Sequence, residues 1–163
     1  MQQLLPVANS IAKLLIDRKE TIGVAESSAG GLIAAGLLSV PGASAYFLGG
    51  VVVYTRASRN ALLAIPEAAL EGTRASTQPY ALLLARTARE RLSTTWAVAE
   101  TGATGPTGNR YGDPAGHACV AVVGPGEIAA VDTLETGSSD RVANMRAFAA
   151  AALSLLLENL QQA

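Results

Sequence analysis

The sequence predicts one α/β domain spanning residues 1–163, with three layers (α/β/α) and a mixed central sheet. A chain of 163 residues suits a single hydrophobic core, and no internal repeat or linker divides it. Short runs rich in β-branched residues alternate with stretches of helical periodicity, which is the order that crossover helices produce. The last two strand-like runs are joined by a Pro-Gly turn, which predicts a hairpin and hence an antiparallel part of the sheet.

The first third of the chain predicts a helix, a strand and a second helix. Apolar residues recur at helical spacing from about Leu4 to Arg18. The apolar run from Thr21 to Glu26 is typical of a buried strand. Ser27 or Ser28 is then expected to cap a helix that continues to Leu37.

The middle of the chain predicts a turn, a strand and two helices. Residues 40–45, VPGASA, form the turn, and the β-branched run in YFLGGVVVYT predicts the next strand. One or two helical turns are expected from Arg56 to Leu63. Ser76 is expected to cap a longer helix from about Thr77 to Leu92, with a proline tolerated in its first turn.

The last third predicts three strands and a final helix. WAVAETG reads as a buried strand and is followed by a loop rich in Gly and Pro from Gly102 to Gly116. HACVAVVG and EIAAVDTLET form the expected hairpin. The closing helix is predicted from about Asp140 to Leu160.

Composition and charge exclude several functional classes. Half of the residues are hydrophobic but only 4% are aromatic, so the core is expected to consist of Ala, Val, Leu and Ile. A net charge of −1 without a basic stripe argues against nucleic-acid binding. No apolar run is long enough to span a membrane, and the amphipathic start argues against a signal peptide, so we expect a cytoplasmic protein.

The counts of cysteine and histidine bear on covalent and metal chemistry. Cys119 is the one cysteine of the chain, which rules out an internal disulfide. One cysteine and one histidine cannot supply a zinc site of the usual kind. We therefore expect neither a metal nor a cofactor.

The segment AESSAGG, in which a strand gives way to a helix, has two interpretations. Hydroxyls of Ser27 and Ser28 would gather with backbone N–H groups at a helix N-terminus, which suits a nucleophile beside an oxyanion hole or a phosphate site. The alternative is ordinary helix capping, which the local pattern favours. The segment lacks the G-x-S-x-G form of the α/β-hydrolase elbow.

Three further features allow both a functional and a structural interpretation. The loop beginning GATGPTG could offer the hydroxyls of Thr101, Thr104 and Thr107 to a ligand, or could simply connect two strands. His117 is interpreted as a structural or edge-strand histidine rather than a catalytic base. Arg141 at the start of the last helix is either an anion ligand or a solvated neighbour of an acidic first residue.

Several separated motifs resemble one family when they are taken in order: AESSAGG, VPGASAYFLGGVVVYTRASR, AETGATGP, DPAGHACVAV and SSDRVANMRAFAAAAL. They are similar to the C-terminal domain of the CinA (competence/damage-inducible protein) family, which also occurs alone as the nicotinamide-nucleotide amidase PncC. The resemblance covers residues from about Ile11 to Leu157. It implies the α/β fold above and hydrolysis of the carboxamide of nicotinamide mononucleotide to nicotinate mononucleotide and ammonia.

The resemblance also implies site residues. The nucleophilic serine of the family falls on Ser27, and its other catalytic positions fall on Tyr54, Thr101 and, for the general base, Arg59. The substrate-binding residues predicted around them are Glu26, Ser28, Gly30, Gly31, Thr104, Gly105 and Arg141. For an oxyanion we expect the backbone N–H groups of Ser27, Ser28 and Gly30.

Arg59 departs from the family pattern, which reads Y-S-N-E-A-K where this chain reads YTRASR. The family's lysine takes the proton from the serine, because a buried lysine can be neutral near pH 7. A guanidinium keeps its proton and cannot do so. Both lysines of the chain, Lys13 and Lys19, precede Ser27 and cannot take this position.

Two functions follow from these observations. The first is a weak or altered amidohydrolase acting on a pyridine-nucleotide carboxamide, with Tyr54 or Glu26 replacing the lysine. The second is a non-catalytic relative with a regulatory role, in which Arg59 and Arg141 hold a phosphate or carboxylate. In both cases the expected partner is a small nucleotide, and a homo-oligomer is expected.

Overall fold

A five-stranded mixed sheet forms the centre of the computed structural model, which describes residues 2–163. Its strands are β1 (Ile22–Glu26), β2 (Phe47–Val52), β3 (Trp96–Ala103), β4 (His117–Val123) and β5 (Ala129–Glu135). Their order across the sheet is β2-β1-β3-β4-β5. β1 is parallel to both β2 and β3, whereas β4 is antiparallel to β3 and to β5. The predicted hairpin and mixed sheet are confirmed.

Helices cover both faces of the sheet. They are α1 (Leu5–Arg18), α2 (Leu32–Leu38), α3 (Arg56–Leu63), α4 (Gln78–Leu92) and α5 (Arg141–Gln162). One layer consists of α1, α2 and α5, which pack against one another, and the other consists of α4 with α3 beside it. The three-layer prediction is therefore confirmed. Among residues 2–163 no helix combines the length and apolar character that crossing a membrane requires.

Alternation along the strands divides the core into two apolar clusters. Val24 and Val98 point to the layer of α1, α2 and α5, whereas Ala25 and Ala99 point to α4. All four side chains are fully buried. Because the next residues continue the alternation, Glu26 of β1 points to the α2 side.

Two of the predicted helix caps are wrong. The N-cap position of α2 is Gly31, which offers no side chain, and neither Ser27 nor Ser28 caps this helix. The N-cap of α4 is Thr77 rather than Ser76, since the Thr77 side chain accepts the hydrogen bond from a first-turn N–H. The acceptor at the start of α2 is the carboxylate of Glu26, and the acceptor at the start of α4 is the side chain of Thr77.

Two other helices, α3 and α5, begin with side-chain caps. Thr55 and Ser58 form a reciprocal capping box at the start of α3, which confirms the predicted helix from Arg56 to Leu63. Asp140 accepts hydrogen bonds from two N–H groups in the first turn of α5. These caps fix the positions at which α3 and α5 begin.

The carboxyl ends of the three parallel strands meet at one edge of the sheet. β1 leads through α2 to β2 on one side, and the chain then crosses by way of α4 to β3 on the other side. In open α/β sheets such a reversal leaves a crevice beyond the strand ends, where ligands bind. Ser27 follows β1 at this edge, and Tyr54 follows β2.

Candidate functional site

A cavity of about 760 Å³ lies at this edge, between the strand ends, α3 and the loop that follows β3. Its size falls in the range of small-ligand sites. The lining residues used below are Ser27, Tyr54, Arg56, Arg59, Arg74, Ser76, Thr101, Arg110 and Tyr111. Glu67 is the one carboxylate among the described residues that line it.

The turn that carries Ser27 is held by the carboxylate of Glu100 in the neighbouring strand β3. One carboxylate oxygen, Oε2, accepts the N–H of Ser27 at 3.1 Å and the N–H of Ala29 at 2.8 Å. The other oxygen accepts the hydroxyl of Ser28. Three donors within three consecutive residues therefore converge on one side chain, which fixes the backbone at Ser27.

The chain then enters α2 through Gly30 and Gly31, and Glu26 holds this part. Both glycines have left-handed backbone angles, with φ of 68° and 97°, which other residues adopt at a cost. The Glu26 carboxylate accepts the N–H groups of Gly31 at 2.9 Å, Ile33 at 3.0 Å and Ala34 at 2.8 Å. Glu26 is therefore the side chain that satisfies the start of α2.

Two carboxylates thus lie side by side under the turn. Ala25 pairs with Ala99, which makes Glu26 and Glu100 the next neighbours across β1 and β3. Burial and, to a smaller extent, the charge of Glu26 raise the pKa of Glu100 to about 7, although the hydrogen bonds from Ser28 and the two N–H groups lower it. Burial also raises the pKa of Glu26, against its three N–H donors. Ionisation of both carboxylates together is costly in this environment.

Two of the three N–H groups that are expected to stabilise an oxyanion already have acceptors within the chain. The N–H of Ser27 donates to Glu100, and the N–H of Gly30 donates to the Ser27 carbonyl oxygen at 3.2 Å. Of the three N–H groups that we expected to stabilise an oxyanion, only that of Ser28 has no acceptor among the described residues.

Tyr54 is joined to the loop after β3 through Arg141. The Tyr54 hydroxyl accepts a hydrogen bond from Arg141 Nη2 at 3.2 Å. Arg141 Nη1 donates to the carbonyl oxygen of Gly105 at 2.7 Å. Asn144, one helical turn further along α5, donates to the Thr104 carbonyl oxygen at 2.8 Å. The start of α5 therefore ties Tyr54 and the loop together.

The Arg59 side chain lies in the cavity wall rather than in solvent. Only 10% of the side chain is exposed. Its guanidinium donates to the side-chain carbonyl of Asn60 at 3.1 and 3.3 Å, and it lies 3.9 Å from a carboxylate oxygen of the exposed Glu67. The position predicted to match the family's lysine therefore holds a permanent cation that lines the same cavity as Ser27.

Ser76 connects Thr101 to the opposite wall of the cavity. The N–H of Ser76 donates to the Thr101 hydroxyl oxygen at 3.1 Å, and the Ser76 hydroxyl accepts from the Asn109 side chain at 3.2 Å. Its carbonyl oxygen accepts from Nε2 of His117 at 2.9 Å. Ser76 has a left-handed φ of 60°, which is uncommon outside glycine, and these three bonds hold it there.

His117 is structural, and it lies in an inner strand rather than at the sheet edge. Its Nδ1 bonds to the Glu135 carboxylate in β5, while Nε2 faces the Ser76 carbonyl oxygen. Both partners are acceptors, so the geometry favours the doubly protonated ring. Burial lowers the pKa of His117, but Glu135, the Ser76 carbonyl and Asp113 together raise it above its ordinary value.

Comparison with known proteins places these features in a family. The family model for the CinA C-terminal domain matches residues 4–160. The chain belongs to the CinA C-terminal domain family. A CinA-like protein of Anaeromyxobacter sp. (strain Fw109-5) is 40% identical over 83% of the chain, and one of Prochlorococcus marinus (strain MIT 9313) is 41% identical over 73%. The matches cover only 33% and 28% of those two relatives, so this chain spans about a third of their length.

Solved structures of the CinA superfamily share the fold. A competence/damage-inducible protein from Agrobacterium tumefaciens superposes with a TM-score of 0.88 at 28% identity, covering 97% of this chain and 95% of its own. A CinA superfamily protein from Klebsiella pneumoniae gives a TM-score of 0.90 at 23% identity, covering 98% and 99%. The α/β fold of this CinA domain is therefore that of its relatives.

The predicted site residues of this CinA domain separate into two groups. The four residues predicted to be catalytic all line the cavity, although they come from separate segments: Ser27, Tyr54, Arg59 and Thr101. The seven residues predicted to bind substrate lie outside the lining: Glu26, Ser28, Gly30, Gly31, Thr104, Gly105 and Arg141. Side chains of this second set form hydrogen bonds with other parts of the chain, as Glu26 does with the start of α2 and Arg141 does with Gly105 and Tyr54. These residues therefore support the cavity walls.

Sequence reasoning missed several residues of the site. The sequence places Glu100 in a buried strand, and a glutamate in an apolar run is itself a signal of a specific partner. Arg110 and Tyr111 lie in a predicted loop, and Arg56 lies at the start of a predicted helix. Only the fold brings these last three to one cavity.

Replacing Glu100 by glutamine tests the buried carboxylate. Glu100 has a raised pKa, so its contribution to stability is present below its ordinary pKa of 4.5 and is lost as the pH rises through about 7. The amide can still bond the turn but cannot ionise. We expect the free energy of unfolding of Glu100→Gln, relative to wild type, to rise by roughly 2 to 3 kcal/mol between pH 5 and pH 8.

Urea unfolding at both pH values measures this difference. Glu127→Gln, at an exposed position outside the site, is the matched control and should follow wild type at both pH values. A difference between Glu100→Gln and wild type that does not change with pH would contradict the account of Glu100.

Replacing Glu135 by glutamine tests the bridge from β5 to Ser76. His117 is the one histidine of the chain, so its ring protons can be followed by NMR without ambiguity. The raised pKa means that its stabilising contribution is present below the ordinary value and is lost as the pH rises through the folded value. We expect Glu135→Gln to lower the pKa of His117, while Glu158→Gln leaves it unchanged. An equal pKa in wild type and Glu135→Gln would refute the bridge.

Proposed function

We propose that this CinA domain binds a pyridine nucleotide in the cavity and hydrolyses its carboxamide only weakly. One observation carries the proposal: the four residues that the family resemblance implies to be catalytic come from separate segments and line a single cavity of about 760 Å³. Three of them, Ser27, Tyr54 and Thr101, keep the residue types that the family resemblance implies. The fourth, Arg59, removes the base.

The chemistry would begin with Ser27. Its hydroxyl oxygen attacks the carboxamide carbon to form an acyl ester, the C–N bond breaks, and the amide nitrogen leaves as ammonia with the proton that the serine gives up. Water then attacks the ester carbon, which releases nicotinate mononucleotide and returns a proton to the Ser27 oxygen. The turn held by Glu100 would present this hydroxyl without reorganisation of the backbone. The N–H of Ser28 is the donor left for the oxyanion.

Weak turnover is expected because neither a neutral amine nor an accessible carboxylate is available to accept the proton of Ser27. Arg59 keeps its proton, while Glu26 and Glu100 are both nearly inaccessible and bonded to backbone N–H groups. Tyr54 and Glu26 are the two possible replacements for the lysine, and with Glu26 excluded Tyr54 remains. Tyr54 lines the cavity and its hydroxyl oxygen accepts a hydrogen bond from Arg141, so we assign the proton transfer to Tyr54.

A regulatory, non-catalytic nucleotide-binding protein is the second candidate, and the arginines of the cavity favour it. Arg56, Arg59, Arg74 and Arg110 line the cavity together with one carboxylate, Glu67. Such a wall retains an anionic ligand whether or not Ser27 reacts. Binding of a nucleotide without measurable ammonia release would support this candidate over the first.

An ammonia-release assay with nicotinamide mononucleotide separates the two candidates. We expect slow turnover by wild type, none by Ser27→Ala, and an increase in kcat of roughly 100-fold in Arg59→Lys, because a positioned general base contributes at least that factor. Arg86→Lys, an exposed substitution on α4, is the matched control and should equal wild type.

The possible results have distinct meanings. Activity that survives Ser27→Ala would show that Ser27 is not the nucleophile. Wild type without activity and Arg59→Lys with activity would leave the site assignment intact and favour the non-catalytic candidate. Absence of both activity and nucleotide binding, measured by calorimetry, would refute the proposed function.

A further inference from the structure

The arginines of the cavity are not equally neutralised. Arg74 donates two hydrogen bonds, at 2.6 and 2.9 Å, to the carboxylate of Asp113. Arg59 lies 3.9 Å from the largely exposed carboxylate of Glu67. Within residues 2–163, Arg56 and Arg110 have no carboxylate oxygen within 4.0 Å. Two positive charges of the cavity wall are therefore unpaired.

These two unpaired guanidinium groups converge on Tyr111. Arg110 Nη2 donates to the Tyr111 hydroxyl oxygen at 2.8 Å. That hydrogen bond lowers the pKa of the Tyr111 phenol, and the guanidinium of Arg56 lowers it further. Arg74 and Arg110 also lie over the ring, 5.3 and 5.0 Å from its centroid. A neutral phenol oxygen is a weak acceptor for two cations, so this point of the cavity favours a stronger anion.

The segment that carries Arg110 and Tyr111 is held in place before any ligand binds. The side-chain carbonyl of Asn109 accepts the N–H groups of Tyr111 at 2.9 Å and Asp113 at 3.1 Å. The Asn109 amide donates to the Asp113 carboxylate at 2.8 Å and to the Ser76 hydroxyl. Arg74 lowers the pKa of Asp113 to about 2, with help from Asn109, so this anchor is ionised at neutral pH.

We propose that Arg56, Arg110 and the hydroxyl of Tyr111 form a subsite for a phosphomonoester dianion in the same cavity as Ser27. A guanidinium group matches phosphate oxygens in a bidentate geometry, and two unpaired guanidinium groups match two negative charges. The subsite rests on the proposed function, because it orients a nucleotide whose carboxamide faces Ser27. It takes the anion-binding role that the sequence assigned to Arg59 and Arg141.

Arg141 lies outside the cavity lining and binds other parts of the chain. Both of its terminal nitrogens are used, one by the Gly105 carbonyl and one by the Tyr54 hydroxyl, and it does not line the cavity. Arg56 and Arg110 are 54 positions apart in the chain, and only the approach of α3 to the loop after β3 brings them together.

Calorimetric titration in a phosphate-free buffer at low ionic strength and pH 7.5 tests the subsite. The probes are inorganic phosphate, nicotinamide mononucleotide and nicotinamide riboside, which differs from the nucleotide only in lacking the phosphate. We expect the nucleotide to bind about 10- to 100-fold more tightly than the riboside, as expected for hydrogen bonds between charged partners.

Variants assign this preference to particular residues. The double variant Arg56→Gln/Arg110→Gln should bind nucleotide and riboside equally and lose inorganic phosphate binding. Tyr111→Phe keeps the ring between its arginines and should lose only part of the preference. Arg146→Gln, exposed on α5 outside the cavity, is the matched control and should retain wild-type binding. Thermal melting of each variant checks that it is folded.

The outcomes distinguish the subsite from the proposed function. Equal binding of nucleotide and riboside by wild type, or a preference that survives in the double variant, would overturn the subsite while leaving hydrolysis at Ser27 open to its own assay. Phosphate binding that depends on Arg56 and Arg110, together with absence of nucleotide binding, would support the subsite and refute the proposed function. Absence of binding by all three probes would overturn both.

Discussion

The carboxylate of Glu100 is the interaction on which the geometry of the site depends. It accepts the backbone N–H groups of Ser27 and Ala29 and the hydroxyl of Ser28. These donors belong to a turn that would otherwise leave polar groups buried without partners. Because Glu100 is in β3 and the turn follows β1, the position of Ser27 depends on the pairing of two strands that are about 70 residues apart in the chain.

A second set of hydrogen bonds holds the opposite wall. Ser76 donates a hydrogen bond to Thr101 in β3. It accepts one from Asn109, in the loop after β3, and one from His117 in β4. Asn109 in turn orders the segment with Arg110 and Tyr111 through backbone N–H groups. Hydrogen bonds therefore already hold the backbone of these wall segments in place, which limits the ordering that a ligand must bring about.

Arg59 lines the cavity at a position where the family resemblance implies a lysine, so the difference between the two side chains affects the cavity directly. A lysine at this position can lose its proton when buried, whereas an arginine stays charged. Arginine in place of the lysine that the family resemblance implies leaves a permanent cation in a wall that also contains Arg56, Arg74 and Arg110. The cavity therefore combines a serine on a fixed turn with a wall that has four arginines and one carboxylate.

Much of this architecture could be predicted from local sequence patterns. Helical periodicity from Leu4 to Arg18 predicted α1, and the Pro-Gly turn predicted the hairpin of β4 and β5. The capping of α2 could not be assigned from Ser27 and Ser28, because Glu26 accepts the N–H groups at the start of the helix and Glu100 binds the turn that carries the two serines. The position of Glu100 beneath this turn depends on the register of β1 against β3, which local patterns do not specify.

The charged wall of the cavity was likewise beyond local reasoning. In the sequence, Arg56 lies in a short helix and Arg110 in a loop, and each has a solvated position as its simplest interpretation. Their convergence at Tyr111 is a tertiary property. Family resemblance supplied the four residues expected to be catalytic, but the arginines around them had to be found from the fold.

A crystal structure of the Ser27→Ala variant with nicotinamide mononucleotide tests the central claim most directly, that one cavity joins the serine to a phosphate subsite. The account predicts the nucleotide in this cavity, with its carboxamide beside position 27 and its phosphate bonded to Arg56 and Arg110. A nucleotide bound elsewhere, or one whose phosphate lies at position 27, would contradict it.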